Sequence, residues 1–165
     1  MPAEPGMGRV ATVSAPRPGP DPFSTEFTAS ALAVRQALTG FADWIAPLDL
    51  DEVETGAAEL VLAEALNNVV EHAYRDAGAG PVMLHCSFGQ GGLSVLIRDR
   101  GVPMPSMRVP LADLADGQRS PVDLREGGYG WFIIRDLARD IGYERRGAEN
   151  TLTFRIAIGR TLWAG

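Results

Sequence analysis

Residues 60–74 (LVLAEALNNVVEHAY) carry side chains that could do chemistry at helical spacing. At about 100° per residue, Glu64, Asn68 and Glu71 fall on one stripe, with His72 at its edge and apolar residues on the opposite face. A carboxylate can act as a general base, and an amide oxygen one turn away can ligate Mg²⁺. Glu64 and Asn68 are therefore candidates for these roles, although a solvated helix face is the simpler interpretation of Glu64 taken alone.

A glycine cluster, Gly127–Gly130, leads directly into the apolar segment WFIIRDL. Glycines at a helix start let backbone N–H groups approach an anion, which the helix dipole also favours, so the cluster is a candidate phosphate cradle. A tight loop-to-helix turn explains it equally well. It is neither a P-loop nor a Rossmann fingerprint. A cradle without lysine needs another source of positive charge, and a metal held by an oxygen ligand such as Asn68 would provide it.

The tripeptide Asp99-Arg100-Gly101 ends a predicted strand. Its carboxylate could accept a hydrogen bond from an amino group such as that of adenine, with Gly101 letting the base lie against the backbone. An Asp-initiated turn is the simpler interpretation of the tripeptide alone. A zinc site is not expected from His85 and Cys86, because neighbouring strand residues point to opposite faces.

The elements that must position these residues follow from hydrophobic periodicity and capping signals. They form an α+β pattern: a two-layer sandwich in which a mixed, mostly antiparallel sheet carries helices on one face. In chain order we expect first a strand at 23–28, then a helix capped by Ser30 and stopped by Pro47, and then a helix begun by a capping box of Asp51 and Glu54. A hairpin at 82–99 and a long functional segment at 100–126 follow. The chain is expected to end with a helix from Gly130 to a C-cap at Gly142 and a closing hairpin at 143–158, and the inward residues of that helix are Phe132, Ile133, Leu137 and Ile141.

Composition limits the function classes. The chain has 165 residues and 45% hydrophobic content, enough for one core, and we expect a domain at 23–158 between a disordered Pro/Gly-rich tail at 1–22 and a C-terminal tail at 159–165. A net charge of -6 without a basic run argues against a nucleic-acid partner. We expect no membrane association, since no apolar span or signal peptide is seen. The single cysteine precludes an internal disulfide and fits a cytoplasmic location.

Taken in this order, the three stretches resemble the N box (LVLAEALNNVVEHAY), G1 box (DRGVP) and G2 box (GGYGWFIIRDL) of the GHKL (Bergerat-fold) ATPases. Within that superfamily the chain is most similar to the RsbW-like anti-sigma-factor serine/threonine protein kinases, over roughly residues 23–158. The segment 104–126 would then be the ATP lid, with Arg119 or Arg125 as phosphate contacts. Met104 stands where relatives often have Phe, and the lid shows no motif that aligns with theirs.

The resemblance implies a role for each matching residue. Glu64 would be the catalytic base and Asn68 the Mg²⁺ ligand. The residues that would bind ATP or ADP, besides Asn68, are Asp99 and Gly101 at the adenine, Gly128 and Gly130 at the phosphates, Asn150 where relatives have a threonine or asparagine near the adenine, and Arg35, at the position of a first-helix arginine thought to assist phosphate or partner recognition.

The resemblance also implies a function. We expect an ATP- and Mg²⁺-dependent kinase that phosphorylates a STAS-domain antagonist of an anti-sigma factor, with sequestration of a sigma factor as a second role and homodimerisation as in relatives. A nucleotide-gated binding module that switches protein partners without phosphotransfer is the alternative. A third possibility is an ATP-binding accessory to a histidine-kinase or phosphatase pathway.

Overall fold

An antiparallel sheet with helices on one face organises the chain. The computed structural model describes residues 19–76, 78–110 and 129–159. In these ranges the strands are β1 (Phe23–Thr28), β2 (Pro81–Gly89), β3 (Gly92–Asp99), β4 (Ala138–Arg146) and β5 (Glu149–Ile156), and the helices are α1 (Ala31–Ile45), α2 (Glu52–Asn68) and α3 (Tyr129–Leu137). A π-helical turn, Val69–Ala73, continues α2, and a 3₁₀ turn occupies Pro105–Met107.

The strand order is β1-β2-β3-β5-β4, and every pair of neighbours in this five-stranded sheet is antiparallel. Residues of β2, β3 and β5 alternate between a buried face and a more exposed one, as the period of two requires. The buried face and the inner faces of the helices form one hydrophobic cluster, to which β2 contributes Val82, Leu84, Cys86 and Phe88 and α2 contributes Val61, Leu62, Ala65 and Leu66. The predicted α+β fold is confirmed.

The sequence also predicts correctly where the first two helices begin. The Ser30 hydroxyl accepts a hydrogen bond from the Ala33 N–H at 3.1 Å. At the start of α2 the Asp51 carboxylate accepts from the Glu54 N–H at 2.7 Å, and the Glu54 carboxylate accepts from the Asp51 N–H at 3.2 Å. These side chains satisfy backbone N–H groups that have no partner inside the helix.

The predicted end of the third helix is wrong. Helix α3 ends at Leu137, and the chain enters β4 at Ala138 without a loop. Strand pairing with β5 replaces helical hydrogen bonding from Ala138 onward, since Ala138 already lies opposite Ile156. The Arg139 guanidinium donates to the carbonyl oxygens of Asp136 at 3.1 Å and Ala138 at 2.7 Å, so carbonyls at the helix end gain a partner without a glycine cap.

The inward face of α3 is only partly as predicted: Phe132 and Ile133 pack against the core but are only partly buried. Trp131 and Ile134 are buried on α3, and the predicted Leu137 is 38% exposed. Ile141 lies in β4, within the register shift between Arg139 and Gly142. Because the segment changes from helix to strand, a helical phase carried across it assigns the wrong face.

Within the described ranges, no helix combines the length and apolar character that crossing a membrane would need. The predicted tails lie largely outside these ranges, and the domain boundaries at 23 and 158 stay predictions.

Candidate functional site

One part of the candidate site lies where α2 packs against the first turn of α3. Glu64 and Asn68 are one turn apart on α2, with Glu64 half-buried and Asn68 buried. A Cβ added to Gly130 on α3 would lie 2.6 Å from the Oε2 atom of Glu64 and 3.5 Å from the Nδ2 atom of Asn68. A side chain at position 130 would therefore displace the Glu64 carboxylate, while its distance to Asn68 is an ordinary van der Waals contact.

The Asn68 amide nitrogen is buried, and none of the residues that the structure describes offers it a hydrogen-bond partner. Leaving such a donor unpaired costs about 1–3 kcal/mol, so its presence beside a carboxylate and a helix start is consistent with a ligand that supplies the partner. A phosphate oxygen is a suitable acceptor at a helix N-terminus, and the amide oxygen of the same side chain is a hard ligand suited to Mg²⁺. The donor set thus fits a metal-bound phosphate.

A second part of the site is the turn after β3. The Oδ1 atom of Asp99 accepts from the Gly101 N–H at 2.9 Å and from the Asn150 amide at 2.7 Å. Among the described residues no donor reaches Oδ2, so this oxygen keeps its capacity to accept a hydrogen bond from a ligand. Burial raises the pKa of Asp99, while the hydrogen bonds from Asn150 and Gly101 and the charge of Arg145 act in the opposite direction.

The helix that carries Glu64 and Asn68 also supports this turn. The Ala73 carbonyl, at the end of the π-helical turn, accepts from the Val102 N–H at 2.8 Å. A Cβ at Gly101 would collide with that carbonyl, so a glycine is needed for the backbone to approach this closely. The Tyr74 hydroxyl accepts from the Arg100 N–H at 2.8 Å and donates to the Pro81 carbonyl at 2.7 Å. Both parts of the site are therefore fixed to one helical segment.

Asn150 lies at the start of β5, directly opposite Asp99 on β3, and is 2% exposed. Sequence reasoning missed two of its partners: the Tyr143 hydroxyl lies 2.7 Å and the Arg145 guanidinium 2.6 Å from its Oδ1 atom. The hairpin register is the signal that could have found Arg145, because it pairs Arg145 with Asn150 across the turn.

Comparison with known proteins identifies the family of the chain. Residues 27–156 match the family model described as histidine kinase-like ATPase domain. The chain belongs to this family. The predicted GHKL resemblance is thereby confirmed, and within the family the chain is similar to proteins of the RsbW type.

Three curated relatives illustrate that similarity. The serine-protein kinase RsbW of Halalkalibacterium halodurans is 30% identical over 118 residues, which are 70% of this chain and 67% of the relative. The serine/threonine-protein kinase BtrW of Bordetella bronchiseptica is 32% identical over 54% of this chain and 61% of its own length. The anti-sigma F factor of Bacillus licheniformis is 27% identical over 74% of this chain and 82% of its own length. This histidine kinase-like ATPase chain thus spans only part of each relative.

A solved structure of RsbU and RsbW domains from Mycobacterium tuberculosis has the same fold. It aligns with a TM-score of 0.58 at 18% identity, over 87% of this chain and 33% of that one. At this level of identity the match supports the fold and nothing finer.

The other predicted site residues have different outcomes. Gly128, Arg119 and Arg125 lie outside the described residues, as does most of the predicted lid. Arg35 is exposed on α1, a helix that packs mainly on α2 and β1, and its proposed role is untested. In the described ranges no cluster of three or more His, Cys, Asp or Glu side chains could hold a metal ion.

Proposed function

We propose that this chain is an ATP- and Mg²⁺-dependent protein serine/threonine kinase that phosphorylates a STAS-domain anti-sigma-factor antagonist, with sigma-factor sequestration as a second role. The observation that carries the proposal is the buried amide nitrogen of Asn68, which has no hydrogen-bond partner among the described residues and lies beside Glu64 at the start of α3. A site built for a bound phosphate accounts for all three features.

ATP would lie between the two parts of the site. The free Oδ2 atom of Asp99 would accept a hydrogen bond from the adenine amino group, and the phosphates would lie at the start of α3 near Asn68 and Gly130. Asn68 would hold Mg²⁺ through its amide oxygen. The bound metal would neutralise phosphate charge, and a single protein ligand fits Mg²⁺, which is usually held by few protein groups together with the substrate phosphates.

Glu64 is the proposed general base. It would remove the proton from the serine hydroxyl while the serine oxygen forms a bond to the γ-phosphorus and the bond from that phosphorus to ADP breaks. Its position one turn from Asn68 places a carboxylate beside the proposed phosphate position without an intervening side chain, because residue 130 is a glycine.

The relatives' names support the choice of reaction and partner class. Two are called serine or serine/threonine kinases and one is called an anti-sigma factor. The STAS-domain substrate, the homodimer and the cytoplasmic location follow from the resemblance alone and stay predictions.

Phosphotransfer to a STAS-domain protein of the same organism tests the proposal. The full chain, incubated with ATP, Mg²⁺ and this substrate, is expected to produce phosphoserine detectable by mass spectrometry. Glu64→Gln keeps the size of the side chain but removes the base, and should lower the rate by about a hundredfold or more while ADP still binds. Glu71→Gln, at an exposed position further along the same stripe, is the matched control and should match the unaltered chain.

Two results would overturn parts of this proposal. Unchanged phosphotransfer by Glu64→Gln would exclude Glu64 as the base. Nucleotide binding by the unaltered chain without any phosphoserine would favour the nucleotide-gated binding module instead.

A further inference from the structure

A chain of hydrogen bonds with a fixed direction leads from the turn after β3 to Asp99. The Tyr143 hydroxyl lies 3.0 Å from the Met104 backbone nitrogen and 2.7 Å from the Oδ1 atom of Asn150. A backbone N–H can only donate, so the hydroxyl oxygen accepts from Met104. The hydroxyl proton is then directed to Asn150, which must present its carbonyl oxygen to Tyr143.

Arg145 fixes the same orientation independently. One guanidinium nitrogen donates to the Asn150 Oδ1 atom at 2.6 Å and to the Gly101 carbonyl at 3.1 Å. A guanidinium has donors and no acceptor, so it too requires the oxygen end of the amide. The Asn150 Nδ2 atom consequently faces Asp99 Oδ1 at 2.7 Å and the carbonyl oxygens of Gly101 and Val102 at 3.3 and 3.2 Å.

We propose that Tyr143 and Arg145 are positioning residues that lock the Asn150 amide and thereby keep Asp99 an acceptor, so that the site selects adenine over guanine nucleotides. The proposal rests on the proposed function, since it concerns the same nucleotide site. At the corresponding ring position adenine carries an amino donor and guanine a carbonyl acceptor. An ionised Asp99, whose Oδ1 is already saturated by two donors, can only accept and so matches adenine.

Three acceptors around Nδ2, which are Asp99 Oδ1 and the carbonyl oxygens of Gly101 and Val102, oppose rotation of the Asn150 amide. Loss of both donors to Oδ1 acts in the other direction and favours a rotation of the amide by about 180° about its last side-chain bond. Its carbonyl oxygen would then face the Asp99 carboxylate, and repulsion between the two would favour a protonated Asp99. A protonated carboxyl can donate to the guanine carbonyl. The other ionisable groups described around Asp99 are Glu149 on β5, Tyr74 directly after the π-helical turn and the adjacent Arg100, and Arg145 is the cation on β4 that opposes proton uptake.

Comparing ADP with GDP binding by calorimetry in the presence of Mg²⁺ tests this proposal on the full chain. In the double variant Tyr143→Phe and Arg145→Met, the ratio of ADP to GDP affinity should fall by about tenfold or more, because charge-assisted and neutral hydrogen bonds are both lost. Arg145→Lys keeps a donor that cannot accept, and should retain most of the ratio. Arg146→Met is the matched control, because this exposed neighbour pairs with Glu144 at the surface.

A double variant that unfolds with a normal thermal transition but keeps the full ADP preference would overturn the proposal. If that variant does not fold, Tyr143→Phe alone decides: it removes one hydroxyl, and the ratio should fall about threefold. An unchanged ratio in this single variant would also overturn the proposal. Failure of the unaltered chain to bind either nucleotide would instead refute the proposed function.

Discussion

At the scale of single residues, Asp99 illustrates the opposition between stability and ligand binding. Burial raises its pKa above the ordinary value of 3.8, so the folded chain binds this proton more tightly than the unfolded chain does. The stabilisation it contributes is complete below the ordinary pKa and is lost as the pH rises through the folded-state pKa. At neutral pH the ionised carboxylate therefore lowers the free energy of unfolding, yet it is the form that accepts a hydrogen bond from adenine.

Asp99→Asn should separate these two effects. The amide keeps an oxygen for the Gly101 and Asn150 donors but carries no buried charge, so the Tm of the nucleotide-free chain at pH 7 should rise. The same change removes the proposed acceptor for adenine, so the increase in Tm on adding ADP should disappear. Thermal unfolding with and without ADP measures both quantities.

Asp43→Asn is the control for this experiment, since it removes the same charge from an exposed position on α1. It should leave both the Tm and the ADP effect close to those of the unaltered chain. A lower Tm for Asp99→Asn in the absence of nucleotide, or an ADP effect of the original size, would contradict the role assigned to Asp99.

The sequence identifies some site residues more readily than others. Glu64 and Asn68 can be found because helical spacing alone puts them on one stripe, and Asp99 and Gly101 because they end a strand. Tyr143 and Arg145 have no such local signal. Their role depends on the pairing of β4 with β5 and of β5 with β3, which joins residues distant in sequence.

At the scale of elements, the contact between α2 and α3 determines how close the phosphate position can be to the proposed base. Gly130 permits this approach, because a Cβ atom at this position would lie only 2.6 Å from the Glu64 carboxylate. Gly130 lies in the first turn of a helix, where alanine is intrinsically preferred over glycine. A glycine at this position therefore allows the close approach to Glu64 at a cost in helix stability.

Gly130→Ala should therefore reduce phosphotransfer without a matching loss of stability. The added methyl would push the Glu64 carboxylate away, lowering the rate by about tenfold or more, while helix propensity offsets part of the packing cost. Gly56→Ala is the matched control: this exposed glycine in α2 has nothing within 4 Å of an added Cβ. The control should stabilise the chain by up to about 1 kcal/mol and leave the rate unchanged.

Rates and denaturant unfolding of the two variants give the comparison. Equal phosphotransfer by Gly130→Ala and Gly56→Ala would show that close approach at position 130 does not matter to the reaction.

Element boundaries were predictable where the signal is local. Ser30 and the Asp51 and Glu54 pair mark helix starts because their side chains bond to nearby backbone N–H groups. The end of α3 was not predictable in this way. Helical periodicity continues past Leu137, but Ala138 pairs with Ile156 of β5, so the chain continues as a strand.

At the scale of the whole molecule, the sheet order brings the two parts of the site together. Placing β5 beside β3 puts Asn150 opposite Asp99, and the turn that follows Asp99 bonds to Ala73 at the end of the segment that carries Asn68. The α+β layer pattern follows from the order of predicted elements. The β3–β5 pairing does not, because a strand order with non-consecutive neighbours is not encoded in any one segment.

The most direct test asks whether these two parts bind one Mg²⁺-bound nucleotide, by calorimetric titration of the full chain with ATP in Mg²⁺ and in EDTA. We expect Mg²⁺ to strengthen binding to the unaltered chain and to the control Asn67→Ala, an exposed neighbour on α2. Asn68→Ala should bind ATP in EDTA but lose most of the gain from Mg²⁺, since the metal ligand is gone. An unaltered gain in Asn68→Ala, or no ATP binding by the unaltered chain, would contradict the proposed site.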